Sequence, residues 1–308
     1  MGNRHNALPG QLVQYREYLL MLLPAVIFFV VFSYIPMAGI VLAFKEYSYS
    51  GGIFGSKWVG LNNMRFLFMN GDLVRVVRNT IGYNLAFIVI NNALEIFCAV
   101  ILVEIRSVCF RKVTQTAMLL PYFISWVVVG GLTYNLFNYE HGFIANLMGM
   151  LQREPIDFYS QPLLWIPIIL IVSAWKSVGY GTVVYLAAIV GIDPAIYEAA
   201  DIDGASKLQR TIRITMPMLV PTMIILVLLS LGNIFRGDFS MYYQLVGNNA
   251  MLWPTTDVID TFVTRSLLHS NDIGMSASAG LIQSVFGFFT IVAANLLIRT
   301  YEKDYALF

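Results

Sequence analysis

The chain has 308 residues, of which 58% are hydrophobic and 12% charged, and its mean hydropathy is +0.69. That balance excludes an ordinary soluble domain and puts most of the chain in lipid. The formal net charge of +1 gives no global attraction to nucleic acid or to an acidic partner, so local charge placement carries the electrostatics.

Crossing a bilayer takes about 20 apolar residues as a helix, and six segments approach that length: Leu19 to Phe44, Asn79 to Ile105, Thr114 to Phe137, Leu164 to Val190, Met218 to Ile234 and Ser276 to Ile298. An all-α polytopic membrane protein with six spans, forming a single domain over 1–308, is the expected fold class. The first segment holds Pro24 and Pro36 and ends in Ala-Phe-Lys, not in a small-residue cleavage site, so it reads as a retained span. Between the first two spans, Trp58 to Phe68 mixes Asn62, Asn63 and Arg65 with Leu61, Met64, Phe66 and Leu67. This pattern suits either an interfacial amphipathic helix or a plain connecting loop.

In the second span Asn84, Asn91 and Glu95 recur at spacings of seven and four, along one helical stripe. An ionisable group at that depth turns away from lipid. The stripe faces either a translocation path or an interhelical hydrogen-bonding seam. Cys98 lies in this span and Cys109 in the short basic loop after it, which leaves no pair for a structural disulfide. Tyr122, Trp126 and Tyr134 of the third span read as packing before ligand residues.

The fourth span carries Lys176, Ser177 and Tyr180 within one turn, beside Gly179 and Gly181, which permit an irregular helix. Lys176 has three readings: a contact for the carboxylate of an acidic sugar, a partner for Glu95, or a side chain snorkelling to the interface.

A polar insert follows at about 191–217. Asp193 before Pro194 is a helix start, with a side-chain acceptor and a first position that needs no N–H. A short helix is expected towards Ile202, then a turn at Gly204. Ser206 and Gln209 fit a capping box for a second helix, with Leu208, Ile212 and Met216 on one face. Pro217 is expected to end it, with Pro221 just inside the next span. Two short helices joined by a tight turn make either a rigid knob able to transmit force or a hairpin that only anchors the loop. Beyond the fifth span, Arg236 to Trp253 holds Asp238, Tyr242, Tyr243, Gln244, Asn248, Asn249 and Trp253. Polar side chains beside rings suit a saccharide surface, an external docking loop, or an interfacial aromatic belt.

Placing both termini inside puts ten basic residues in the cytoplasm, from Arg4 and Arg16 to Arg299 and Lys303, and eight outside. Setting aside Lys45, Lys57, Arg65, Arg75 and Arg78 of the first external loop leaves ten against three, in line with the positive-inside rule. No Gly-Lys dipeptide occurs, so no phosphate-cradling loop is present. His5, His141 and His269 have no spacing that suggests a metal site or a catalytic pair.

The run Glu198-Ala199-Ala200, three residues, Gly204, nine residues, Ile214, Thr215, Met216, Pro217 resembles the cytoplasmic signature loop of permeases in binding-protein-dependent ABC importers, with Met216 where leucine is usual. Tyr34-Ile35-Pro36-Met37, Phe44-Lys45-Glu46-Tyr47, Trp58-Val59-Gly60-Leu61-Asn62-Asn63, Asn79-Thr80 and Leu307-Phe308 resemble the carbohydrate-uptake type 1 branch, in particular permeases for oligosaccharides and polysaccharide fragments. The resemblance runs nearly end to end. It implies a coupling helix seated on an ATPase subunit through Glu198, Ala199, Ala200, Asp203 and Gly204. It also implies a second, related permease, two ATPase subunits that hold ATP and Mg, and a solute-binding protein outside; the chain itself needs no cofactor and catalyses nothing. The expected place is the bacterial cytoplasmic membrane. Substrate-path candidates are Asn84, Asn91, Glu95, Lys176, Tyr180, Asp238, Tyr242, Tyr243, Gln244, Asn248 and Trp253. An ion- or proton-coupled secondary sugar transporter is the competing reading, with Glu95 and Lys176 carrying the coupling.

Overall fold

The computed structural model describes residues 15–69, 71–268 and 272–301; His5, His269, Arg4, Lys303 and the closing Leu307-Phe308 lie outside them. Among the described residues five helices are long and apolar enough to cross a membrane, and one bent pair of helices makes a sixth span if it is counted as one.

The first rod, Arg16–Phe44, begins as helix α1 (Arg16–Phe29), passes through a π turn at Val30–Tyr34 and tightens to a 3₁₀ segment over Ile35–Phe44. Pro36 supplies no N–H, and the irregular stretch around it is where a membrane helix absorbs such a residue. The apolar window of this rod buries nothing against the rest of the chain; the rod is held chiefly at its far end, where Ser278 Oγ donates to the Ala43 carbonyl at 2.9 Å. A two-residue hairpin, β1 (Lys45–Glu46) with β2 (Lys57–Trp58), pairs Lys45 with Trp58. The stretch whose pattern left helix and loop open is a helix, α2 (Asn62–Met69), with Leu67 buried and Asn63 Nδ2 donating to the carbonyls of Ala43 (3.1 Å) and Lys45 (2.9 Å).

The second span is α3 (Asp72–Glu104) and the fourth is α7 (Pro162–Val190), and they pack along each other. The expected irregularity at Gly179 and Gly181 is absent: α7 is continuous, and both glycines serve packing instead. A Cβ at 179 would strike the Met118 carbonyl, and one at 181 would strike the Glu95 carboxyl.

The third span is not the straight rod expected from Thr114 to Phe137. It is α4 (Val108–Phe123) and α5 (Trp126–Phe137), bent by 94°. Ile124 ends the first and Ser125 starts the second, its hydroxyl accepting from Val128 N at 3.5 Å, and Pro121 lies in the last turn of α4. A short helix α6 (Phe143–Met150) follows before α7.

After α7 come α8 (Pro194–Ile202) and the fifth span, α9 (Lys207–Leu231). Pro217 does not end the hairpin's second helix. A π turn over Thr211–Thr215 precedes it, closed by the bond from Met216 N to the Thr211 carbonyl, and the helix runs on through Met216–Leu231. Widening the turn accommodates a residue that has no N–H to give. The remaining helices of eight or more residues are α10 (Phe239–Val246), α11 (Ile259–Leu268) and the last long helix α12 (Ile273–Tyr301).

Three buried clusters hold this arrangement. Tyr83, Trp165, Ile169, Tyr242 and Leu252 tie α3, α7 and α10 together; Leu67, Val76, Ile259 and Ala279 join α2, α3, α11 and α12. Ala99, Leu102, Tyr185, Ile189 and Leu219 pack α3, α7 and α9 near the hairpin.

Candidate functional site

The hairpin has the local build its residues dictate. Asp193 accepts from Ala195 N at 2.9 Å and Pro194 opens α8. The helix closes with Gly204 at φ +74° and with Ala205 N bonded to the Ala200 carbonyl at 2.9 Å, a left-handed cap that suits glycine. Ser206 N donates to Gln209 Oε1 (2.8 Å) while Gln209 N donates to Ser206 Oγ (3.3 Å), which completes the capping box. Three cross-ties stiffen it: Tyr197 Oη with Thr215 Oγ1 at 2.9 Å, Arg210 with Asp201, and Lys207 Nζ with Glu104 Oε2 at 2.5 Å. The third ties the hairpin to the end of α3. No residue of α8 is buried; Glu198, Ala199, Asp203 and Gly204 are exposed and Ala200 is half-buried. Ile202 at the tip is 87% exposed, an apolar side chain standing clear of its own fold.

Lys176 neither pairs with Glu95 nor snorkels to an open surface: it is buried, at 9% exposure. Its ammonium donates to the carbonyls of Pro121 (3.2 Å), Tyr122 (2.8 Å) and Ile124 (2.6 Å), and it lies over the rings of Tyr122 and Trp126. These carbonyls sit at the C-terminal end of α4, where intrahelical donors run out and partial negative charge collects. The cation is the cap of a helix broken inside the membrane. In this arrangement all three of its hydrogen bonds go to backbone carbonyls, and it forms no ion pair with Glu95 among the described residues.

Asn84, Asn91, Glu95 and Tyr180 do come together. They line a cleft of about 410 Å³ between α3, α7 and α9, with Asn92, Ser230 and Asn233. Asn84 Nδ2 donates to the carbonyls of Ile234 and Arg236, both at 2.9 Å, and so holds the chain just beyond α9. Asn92 Oδ1 accepts from Tyr185 Oη at 2.6 Å. Asn91 Oδ1 is buried and unpartnered, an acceptor left for something that enters the cleft. Tyr180 stacks on Tyr122 with ring centroids 4.9 Å apart. The sequence reading missed Asn92, Ser230 and Asn233; Asn92 adjoins the stripe, and Asn233 stands where polar residues dilute the fifth apolar run.

The candidates from Asp238 to Trp253 separate into structural and open positions. Asp238 caps α10 by accepting from Met241 N at 3.1 Å. Tyr242 is 1% exposed and meets Tyr83 edge to ring, so it belongs to the core and not to a path. The backbone at Gln244 lies against Gly130, where any Cβ would collide. Tyr243, Asn248 and Trp253 instead line a separate pocket of about 290 Å³ with Arg265. There the Arg265 guanidinium covers the Trp253 ring at 3.9 Å and pairs with Asp257 at 3.0 and 2.7 Å; Arg75 reaches the same carboxylate at 3.2 Å. Nearby, burial raises the pKa of Asp260, although Gly237 N–H and the Gln283 amide both donate to it. The Arg75, Asp257 and Arg265 grouping was not foreseen, because its members are separated along the chain by loops whose course the sequence does not reveal.

Known proteins share this architecture. A family model described as binding-protein-dependent transport system inner membrane component matches residues 92–303. The polygalacturonan/rhamnogalacturonan transport system permease protein YteP of Bacillus subtilis is 32% identical over 96% of this chain and 91% of its own length. A crystal structure of a bacterial ABC transporter involved in import of the acidic polysaccharide alginate superposes with a TM-score of 0.88 at 31% identity, over 96% of this chain and 100% of that one. The same kind of transporter in complex with an alginate pentasaccharide-bound periplasmic protein gives 0.86 at 31% identity, over 96% and 98%. With a matched region covering well over half its length and an architecture shared almost end to end, this chain belongs to the family of inner-membrane components of binding-protein-dependent transport systems, as a transport permease subunit and not an enzyme.

Proposed function

We propose that this chain is one half of the pore of an ATP-driven oligosaccharide importer in a bacterial cytoplasmic membrane, with both termini inside. The loop at about 191–217 is its coupling element: Glu198, Ala199, Ala200, Asp203 and Gly204 seat on one of two separate ATPase subunits, which hold ATP and Mg. A second, related permease closes the pore as a heterodimer, and a solute-binding protein delivers the saccharide from outside. The cleft of Asn84, Asn91, Glu95 and Tyr180 forms part of the wall along which sugar hydroxyls pass, and Tyr243, Asn248 and Trp253 stand at its outer end.

The observation that carries this reading is the hairpin: a capped, cross-tied tip without buried residues in α8, continuous with a membrane span. Saccharide cargo is supported by YteP and the two alginate transporter structures, whose names give polysaccharides or an oligosaccharide fragment. Small side chains at 199 and 200 let a partner surface come close, so Ala199→Arg with Ala200→Arg should lower copurification of the ATPase at least tenfold. Uptake should fall with it while the chain still elutes as a folded membrane protein. Retained ATPase and undiminished uptake in that variant would overturn the docking assignment.

A further inference from the structure

A cavity of about 350 Å³ opens between the end of α3 and the base of the hairpin. Its polar side is formed by Arg106, Lys207 and Arg210 with the Glu104 carboxylate and the hydroxyl-bearing Thr211, and its inner wall by Val103 and Ile189. Lys207 and Arg210 are each balanced by one carboxylate, Glu104 and Asp201. Arg106 is exposed and makes no hydrogen bond or ion pair among the described residues. The site therefore carries one uncompensated cation, plus two more whose partners are exposed enough to be exchanged.

The depth of the cavity identifies its ligand. α3 ends at Glu104 and α7 at Val190, so the basic rim lies where two apolar spans give way to polar chain, at the level of lipid headgroups. Its apolar wall is formed by the half-buried Val100 and Val103 at the end of the apolar run of α3, backed by the buried Ile189. A cavity that is cationic at the rim and apolar beneath matches a phosphate carried on acyl chains, and basic pockets between membrane helices are suited to anionic headgroups. A soluble phosphate would satisfy the rim and leave the apolar wall unused.

We infer that this cavity is a binding site for the phosphate of an anionic phospholipid, which fastens the coupling hairpin to the end of the second span. In that position the phosphate takes Arg106 as a permanent partner and competes with Glu104 for Lys207. It thus adds a second polar link between the hairpin base and the end of α3, beside the exposed ion pair and the buried packing of α3 on α9.

The test is lipid retention on the whole purified transporter, read by native mass spectrometry after exchange into detergent with equal phosphatidylglycerol and phosphatidylcholine. The expected result is selective retention of phosphatidylglycerol, lowered at least tenfold by Arg106→Gln with Lys207→Gln. Val103→Trp, which fills the apolar wall and leaves every charge in place, should lower it likewise. Equal retention of the two lipids, or unchanged retention in both variants, would overturn the site. Displacement of the lipid by millimolar inorganic phosphate, with Val103→Trp still binding that phosphate, would assign the rim to a soluble anion and overturn the lipid source. Because the readout is bound lipid, it stands apart from ATPase docking: a failed docking test leaves it intact, and its own failure leaves the importer reading intact.

Discussion

Lys176 closes a helix end that a bend has opened inside the bilayer. Removing the ammonium while keeping the bulk, as in Lys176→Met, strips the donor from the Tyr122 and Ile124 carbonyls and leaves Pro121 only its bond from Ile124 N, at a cost on the order of 1–3 kcal/mol for each buried acceptor left unpaired. The expected outcome is a lowered thermal midpoint of the purified protein and loss of uptake with substrate affinity of the binding protein unchanged. A variant that melts and transports as the parent does would show that the carbonyls find other donors. Nothing in the sequence signals this role, since the acceptors are backbone atoms some fifty positions away and leave no side-chain signature. By contrast, the stripe of Asn84, Asn91 and Glu95 was readable, because helical period alone puts them on one face and the cleft lies where that face points.

At the scale of the element, the hairpin shows both what local chemistry reveals and where it misleads. Asp193, Gly204, Ser206 and Gln209 each act through neighbours within a few residues, so their roles could be read directly. Pro217 was misread because proline in mid-helix usually stops it, and the π turn that rescues it depends on register, not on composition. The third span was misread for the converse reason: Ile124 and Ser125 are unremarkable residues, yet the helix turns there by 94°. Continuity through Pro217 makes the rod stiff, and stiffness is testable. Thr211→Gly with Ile212→Gly adds roughly 1 kcal/mol of helix-breaking tendency per site and should raise the ATP consumed per saccharide imported, while the ATPase still copurifies. An unchanged ratio would mean that force does not travel along this helix.

For the whole molecule, the five long helices and the bent pair among the described residues make six crossings when that pair is taken as one span, and an even number agrees with the proposal that both ends lie inside. Cys109 lies exposed in α4 near the hairpin end and is free, which makes it a reporter of sidedness. In a Cys98→Ser background a membrane-impermeant thiol reagent should label it in inside-out vesicles and not in intact cells. Labelling from the outer face would reverse the orientation proposed above. The shape of the assembly was less legible than its topology: hydropathy marks what enters lipid, while the uncovered first rod and the cleft between α3, α7 and α9 arise from how helices meet, which depends on small residues such as Gly179 and Gly181.

The unbroken helix from Lys207 to Leu231 has a mechanical corollary. Its 25 residues make a bar about 37 Å long, so a tilt of roughly 10° about one end would sweep the other by about 6 Å. At its far end the bar runs into the carbonyls gripped by Asn84. Like a tiller and its rudder, tip and cleft can only swing together, and a sugar resting against Asn84 would feel each stroke of the nucleotide cycle as a change in the width of its own berth.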